Sequence, residues 1–153
     1  MSPVVLVPKP KRPGGVRLCV HMREANKAIS REGHLLPTLH KVMHDPNGAT
    51  VFRKLDLNQG YHQLLLHPDS RHITTFSTHI GLFRYKRLSF GINAVSEKFQ
   101  NVIASPNNDI PNVKNISVDV IIYGVNVQEH DKALHAVLTG FQELNLSLCK
   151  DKC

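Results

Sequence analysis

Two aspartates stand among apolar, strand-forming residues: Asp56 in "VFRKLDL" and Asp119 in "ISVDVII". Aspartate is depleted in strands, and a buried carboxylate without a partner is costly. One such acid is usually a turn residue or an ion-pair partner. Two on neighbouring strands suggest a divalent-cation site, because Mg²⁺ prefers carboxylate oxygens and keeps several of its waters. On a basic chain that chemistry points to phosphoryl transfer, in which two ions about 3.5–4 Å apart activate the attacking oxygen and stabilise the leaving one. A minimal site of this kind wants more than two carboxylates. The two acids alone therefore leave the metal site and the plain strand-end reading both open.

The elements that must position these acids can be read from hydrophobic period and punctuation. "SPVVLVPKP" (2–10) and "VRLCVHM" (16–22) predict strands around the turn "KRPGG", and "REANKAI" (23–29) is turn-like or briefly helical. "LPTLHKVMHD" (36–45) has helical spacing, with Leu39, Val42 and Met43 on one face. "ATVFRKLDL" (49–57) alternates as a strand. "ITTFSTH" (73–79) and "LFRYKRLSF" (82–90) predict a hairpin joined at Ile80-Gly81. "NAVSEKFQNVIA" (93–104) is an amphipathic helix with Val95, Phe99, Val102 and Ile103 inward, ended by Pro106. "KNISVDVIIYG" (114–124) is β-rich. "VQEHDKALHAVLTGFQELN" (127–145) places Ala133, Leu134, Val137, Leu138, Phe141 and Leu144 on one helical face, and "LSLCKDKC" predicts a short closing strand. This alternation of helices and strands indicates an α+β or α/β class.

Length and composition bound the rest. The 153 residues suffice for one compact domain, and 41% apolar with 20% charged residues argues against wholesale disorder. Nineteen Lys and Arg against twelve acids give a formal charge of +7, which favours a polyanionic partner, nucleic acid being the commonest. Basic residues gather in "KPKRPGGVR" (9–17) and "RYKR" (84–87). Three cysteines without paired spacing, Cys19, Cys149 and Cys153, suggest reduced thiols and an intracellular setting. Cys149 and Cys153 lack further ligands for a zinc set, and His40 with His44 reads as a solvated helix face rather than a metal pair. No signal peptide or bilayer-length apolar run is evident, so no membrane partner is expected.

Taken in order, "SPVVLVPKP", "VRLCVHMREANKAI", "KLDLNQGYHQLLLHP", "GLFRYKRLSFGI", "EKFQNVI", "NISVDVIIYG" and "LCKDKC" resemble the reverse transcriptase of gypsy-type LTR retrotransposons and their retroviral relatives. The resemblance covers essentially the whole chain. It implies an α+β fingers-and-palm fragment of an RNA-directed DNA polymerase, its antiparallel palm sheet backed by helices. Fingers are expected at about 1–48 and 72–90, and palm at about 49–71 and 91–153. The family's thumb, connection and RNase H domain are expected beyond this segment, in the remaining polyprotein. Implied partners are an RNA or DNA template–primer and deoxynucleoside triphosphates, with Mg²⁺, or Mn²⁺ in its place, as cofactor.

Site roles follow only by motif. Asp56 matches the metal-binding aspartate of the first catalytic motif. Tyr61, five residues on, matches the aromatic that lies under the incoming sugar and disfavours a 2′-hydroxyl. Arg17 matches the fingers arginine over the triphosphate, and Lys9 and Lys11 fall at the basic fingertips. Phe90 and Gly91 of "LSFGI" match the border of the nucleotide pocket. The second catalytic motif carries two adjacent aspartates. Aligning "VIIYG" places Asp119 on the second of these and Val118 on the first, which is the main ligand in the family. Valine has no oxygen to offer, and it sets two methyl groups beside a hydrated dication. A loss of about 4 kcal/mol of transition-state stabilisation slows the reaction roughly a thousandfold. A register slip that moved Asp119 into the vacated position would turn Ile121 and Tyr123 to the wrong face. Other departures agree: the family usually has an acid at His21, a proline at Ser96 and an uninterrupted helix at Pro106. The expectation is a degenerate copy whose chemistry is lost or very weak. The alternatives are a non-catalytic nucleic-acid-binding module and an inactive transposon relic.

Overall fold

A computed structural model describes residues 2–9, 14–30 and 48–153. The expected helix at 36–45, the pair His40 and His44, and Lys11 lie outside the described residues. By its internal contacts the chain separates into two units, Met1–Glu32 with Leu64–Val95, and Gly33–Gln63 with Ser96–Cys153.

The first unit is built on two short hairpins. Strands β1 (Val4–Pro8) and β2 (Val16–Val20) pair antiparallel, with Val4 opposite Val20 and Leu6 opposite Leu18. Lys9 N–H donates to Gly15 O at 2.8 Å and closes the far end. Helix α1 (Arg23–Lys27) follows. Strands β4 (Phe76–Thr78) and β5 (Gly81–Phe83) form the second hairpin. Val20, Met22, Ala25 and Phe76 make the buried cluster of this unit.

These strands are shorter than their sequence predicts. The first two residues of the strand expected at 73–79 instead close a run of 3₁₀ turns over Pro68–Thr74. Pro68 sits at a helical start, and the hydroxyls of Thr74 and Thr75 donate to the carbonyls of Arg71 and His72 at 2.8 and 2.6 Å. Such local side-chain bonds compete with a ladder. The hairpin turns at His79-Ile80 rather than Ile80-Gly81. Gly81 is already paired with Thr78, and its φ of +136° is one that glycine adopts without strain. Beyond Phe83 the expected strand reduces to a single bridge between Leu65 and Arg87.

The second unit holds a three-stranded antiparallel sheet of order β3-β7-β6, from β3 (Val51–Asp56), β6 (Val113–Ile116) and β7 (Asp119–Gly124). Ser117 and Val118 form a two-residue turn between β6 and β7. Ser117 has φ +55°, a left-handed value that L residues adopt at a cost. Leu55, Val120 and Ile122 are buried and fall on one side of the sheet by alternation.

Helices α2 (Val95–Asn107) and α3 (Val127–Glu143) supply Phe99, Ile103, Val137 and Phe141, all buried. Asn126 caps α3, its Oδ1 accepting from Glu129 N–H at 2.9 Å. Two expected core residues of this helix are misassigned by period. Leu138 is 41% exposed because it lies at the flank of the stripe made by Ala133, Val137 and Phe141, and Leu144 is 44% exposed because it caps the helix past its last residue, Glu143. Pro106 does not stop α2, which runs to Asn107. Proline removes only its own N–H, and the bond from Asn108 N–H to Ala104 O at 2.8 Å carries the helical pattern past it. Its ring packs beside Gly140, where an added Cβ would lie 3.3 Å from Pro106 Cβ. The closing segment is no full strand. It contributes one bridge, Leu148 to Leu57, and then a 3₁₀ turn at Lys150–Lys152.

Candidate active site

Strand register decides which acids meet. β3 and β7 run antiparallel with Asp56 directly opposite Asp119. Opposed residues of an antiparallel pair point to the same side of the sheet, with Cβ atoms about 4.5–5.5 Å apart. The two carboxylates are therefore neighbours, on adjacent strands, at the end of the sheet nearest the Ser117-Val118 turn. No slip of register is needed to bring Asp119 to Asp56. Lys54, two residues before Asp56 in β3, shares that side by the period of two.

Each acid already has a lysine. Lys54 Nζ donates to Asp119 Oδ2 at 2.9 Å. The other oxygen, Asp119 Oδ1, is buried and has no hydrogen-bond partner among the described residues. The bond to Asp119 holds the Lys54 ammonium above its ordinary pKa; partial desolvation opposes this, and the charges of Asp119 and Asp56 assist it. Lys152 Nζ lies 3.3 Å from Asp56 Oδ1 and 3.5 Å from Oδ2. The Asp56 side chain is 13% exposed and that of Asp119 30% exposed.

A chain of hydrogen bonds, begun by the Gln63 side chain, brings Lys152 there from the far end of the sequence. Gln63 Oε1 accepts from Ser147 N–H at 2.7 Å, and Gln63 Nε2 donates to Ser147 O at 2.9 Å. Leu148 then bridges to Leu57, and Cys149 N–H donates to Asp56 O at 2.8 Å. Asp56 N–H points to Cys153 Sγ at 3.4 Å. Lys152 falls beside Asp56 as a result.

The turn is held from below by hydroxyls. Tyr61 follows β3 in the 3₁₀ turn Gly60–Gln63, and it is buried. Its hydroxyl lies 3.1 Å from Ser96 Oγ and 3.1 Å from Ser117 Oγ. Its ring meets Phe99 edge-on, with centroids 5.1 Å apart. Gln100 Oε1 accepts from Ser117 N–H at 2.9 Å, which satisfies the backbone of the strained turn residue. Val118 rests on Gly60: a Cβ built on Gly60 would come within 2.8 Å of Val118 Cγ1. Glycine is required there by this close approach, since its own backbone is not left-handed.

The other expected nucleotide contacts lie in the first unit. Arg17 and Lys9 are on the β1–β2 hairpin, Arg17 exposed and Lys9 half-buried. Gly91 is drawn to the end of β2, where an added Cβ would stand 3.3 Å from Val20 O, and Asn26 Nδ2 donates to Gly91 O at 2.8 Å. Phe90 is exposed. Asp56, Asp119, Val118 and Tyr61 thus form one cluster in the second unit, while Arg17, Lys9, Phe90 and Gly91 belong to the first.

Lys54, Lys152, Gln63, Gln100 and Ser117 had not been assigned to the site from sequence. Lys54 was accessible to the period-two rule, being two residues from Asp56 on one strand. Lys152 had no local signal, because 96 residues separate it from its partner.

Two oxygen-donor side chains on one side of a sheet, one with a buried unpartnered oxygen, fit a single hydrated dication of the kind that takes carboxylates and keeps waters. Val118 adds no donor to that set.

Known proteins share the sequence and the fold of this chain. Residues 7–153 match the family described as reverse transcriptase (RNA-dependent DNA polymerase). The retrovirus-related Pol polyprotein from transposon 412 of Drosophila melanogaster is 33% identical over 99% of this chain, which spans 13% of that polyprotein. An uncharacterised Caenorhabditis elegans protein and the transposon Tf2-3 polyprotein of Schizosaccharomyces pombe are each 29% identical over 99% of the chain, covering 12% and 11% of those proteins. The prototype foamy virus protease–reverse transcriptase superposes with a TM-score of 0.82 at 23% identity, over 96% of this chain and 20% of its own. A foamy viral protease–reverse transcriptase in complex with an RNA/DNA hybrid gives 0.81 at 22% identity, over 96% of this chain and 20% of its own. These structures share the α+β fold of mixed helices and antiparallel sheet. With a match that runs through nearly all its residues, the chain belongs to the reverse transcriptase (RNA-dependent DNA polymerase) family.

Proposed function

We propose that this chain is a fingers-and-palm segment of a gypsy-type LTR retrotransposon reverse transcriptase in which nucleotidyl transfer is lost or very slow. The observation that supports this reading is the pairing of Asp56 with Asp119 across β3 and β7, with Val118 packed on Gly60 from the turn between β6 and β7. Asp56 and Asp119 would hold Mg²⁺ or Mn²⁺. Bound there, the ion would lower the pKa of an attacking hydroxyl and neutralise charge on a triphosphate. Tyr61 would set the floor under the incoming sugar, its ring fixed by Phe99 and its hydroxyl by Ser96 and Ser117. Arg17, Lys9 and Lys11 would meet the triphosphate, with Phe90 and Gly91 at the edge of the pocket. The template–primer would be RNA or DNA, in keeping with the RNA/DNA hybrid in the foamy viral complex. The rest of a polyprotein would supply the remaining parts, since the chain spans about an eighth of the curated relatives it matches (12% and 13%). An intracellular setting accords with three cysteines that form no disulfide.

The test is Mg²⁺-dependent primer extension by the unaltered chain, Val118→Asp and Asp56→Asn. Asp and Val are close in size, so the substituted side chain fits over Gly60 as valine does. Extension is expected from Val118→Asp alone. Extension by the unaltered chain that disappears in Asp56→Asn overturns the degenerate reading. A Val118→Asp protein that folds and stays inactive removes valine as the cause. A second reading, a nucleic-acid-binding module without chemistry, is supported by the net charge of +7. It predicts binding to primer–template that weakens steeply with salt, through counterion release.

A further inference from the structure

The acid pair carries its own cations. Asp56 and Asp119 face each other across two strands, and each is met by one lysine from a different part of the chain. Two carboxylates at this spacing, largely shielded from water, repel unless positive charge stands close by. Lys54 supplies that charge from within β3, at 2.9 Å. Lys152 supplies it from the closing 3₁₀ turn, at 3.3 Å. With Val118 in the turn, two acids and two ammonium groups sum to zero. An aspartate at 118 would leave the same cluster one charge negative.

We infer that Lys54 and Lys152 are resident counter-cations of the acid pair, so that a divalent ion binds this chain only by displacing lysine, with Lys54 the stronger competitor. This rests on the reading of Asp56 and Asp119 as the remains of a cation site. Three features make Lys54 the main rival. Its contact is the shorter. Its backbone is fixed by the strand that also carries Asp56, so a displaced ammonium stays within reach of the pair. It occupies the only exposed oxygen of Asp119, since Oδ1 on the other side is buried. Lys152 sits on a short turn and reaches Asp56 at longer range, so a modest shift of that turn releases it.

The consequence reaches beyond the missing ligand. Replacing an aspartate by valine removes one donor and also cancels the net negative charge that would draw a dication against two fixed ammonium groups. An ion at this place gains Coulomb energy from the carboxylates only after the lysines have been moved back into water.

The experiment titrates the folded chain with Mn²⁺ alone, with no nucleotide or nucleic acid, and reads free Mn²⁺ by electron paramagnetic resonance. Lys54→Met should bind Mn²⁺ about tenfold more tightly than the unaltered chain, and Lys152→Met about threefold, as expected for removing a charge that competes at close range. Lys54→Met combined with Asp119→Asn should lose the gain. Lys150→Met is the control for unspecific charge, because Lys150 is exposed in the same closing turn and makes no contact with either acid. Equal gains in Lys54→Met and Lys150→Met, or no gain in Lys54→Met, overturn the inference. Lys54 is exposed, and circular dichroism confirms the fold of each variant before titration. The outcome is separate from that of primer extension: a folded Val118→Asp protein that never extends a primer, beside a gain of Mn²⁺ affinity in Lys54→Met, sinks the proposed function alone. Extension by Val118→Asp alone, with no gain of Mn²⁺ affinity in Lys54→Met, sinks only the role given to the lysines.

Discussion

The two units of the molecule are stabilised in different ways. The second wraps a three-stranded sheet with two amphipathic helices and buries Phe99, Ile103, Val120, Ile122 and Val137 completely. The first has two-stranded hairpins, a four-residue buried cluster, and exposed apolar residues along β1 and β2 that include Val5, Leu6, Val16 and Leu18. Isolated two-stranded hairpins are marginal in water, whereas a sheet covered by helices can hold a fixed geometry. The carboxylates stand on the covered sheet. The basic residues of the expected nucleotide contacts stand on the hairpin. The difference teaches that carboxylates opposed at a few ångström need the fixed geometry of a covered sheet, which the exposed hairpin does not give its basic side chains.

The largest expected effect that tests this contrast is at Phe99. Its ring is fully buried and supports Tyr61 edge-on. Phe99→Ala should cost about 3–5 kcal/mol of unfolding free energy, as large aromatic truncations in a core do. Leu6→Ser on β1, at a position that is already exposed, should change stability by no more than about 0.5 kcal/mol. Urea denaturation of both variants gives the comparison. Near-equal losses would mean that the hairpin is as firmly packed as the helix-covered sheet, and the contrast would fail.

A smaller effect is expected at the contact between Gly60 and Val118. Gly60→Ala places a methyl 2.8 Å from Val118 Cγ1, inside any real carbon–carbon contact. The turn must shift, at a cost of about 1–3 kcal/mol. In a Val118→Ala background the 2.8 Å contact is gone, though Cβ of residue 118 remains 3.3 Å away, and the cost of Gly60→Ala should fall. A double-mutant cycle by denaturant unfolding measures that coupling. Absence of coupling would show that the turn already yields at this point and that Val118 does not rest on Gly60.

Much of this arrangement is legible in the sequence. The amphipathic period of 127–145 and of 93–104 located both helices, and the alternation in "VFRKLDL" located β3. The motif order located Asp56 and Asp119. What failed had local physical causes. Thr74 and Thr75 bonded back to their own turn and shortened β4, a competition that residue period does not register. Pro106 sat where only one helical bond was lost, and Gly140 made room for its ring. Leu138 and Leu144 were apolar and in phase, yet period says nothing of how wide the covering surface is or where the helix ends. At the site, the turn that sets Val118 on Gly60 needed a positive φ at a serine, which no propensity favours. Lys152 came to Asp56 through the Gln63 side chain, Ser147 and Leu148, a route made wholly of long-range bonds.

The smallest effect concerns the hydroxyls beneath the turn. Tyr61 Oη touches Ser96 Oγ and Ser117 Oγ, one on α2 and one in the turn. Three hydroxyls offer at least three donors among them, so removing one leaves the two serines able to rotate toward other acceptors. Tyr61→Phe keeps the ring on Phe99 and deletes only the shared oxygen. A hydrogen bond of this kind contributes about 0.5–1.5 kcal/mol net, with a further penalty if a buried partner is left without one. The expected loss is therefore about 1 kcal/mol, well below that of Phe99→Ala. Its location is diagnostic as well as its size. Amide hydrogen exchange should quicken at Ser117, whose N–H is held by Gln100, and at Leu57, whose N–H reaches Val118 O at 3.3 Å. Exchange in the β1–β2 hairpin should stay as it was. Faster exchange across the hairpin as well would mean that the hydroxyl cluster stabilises the whole chain, and the turn would no longer be its specific charge.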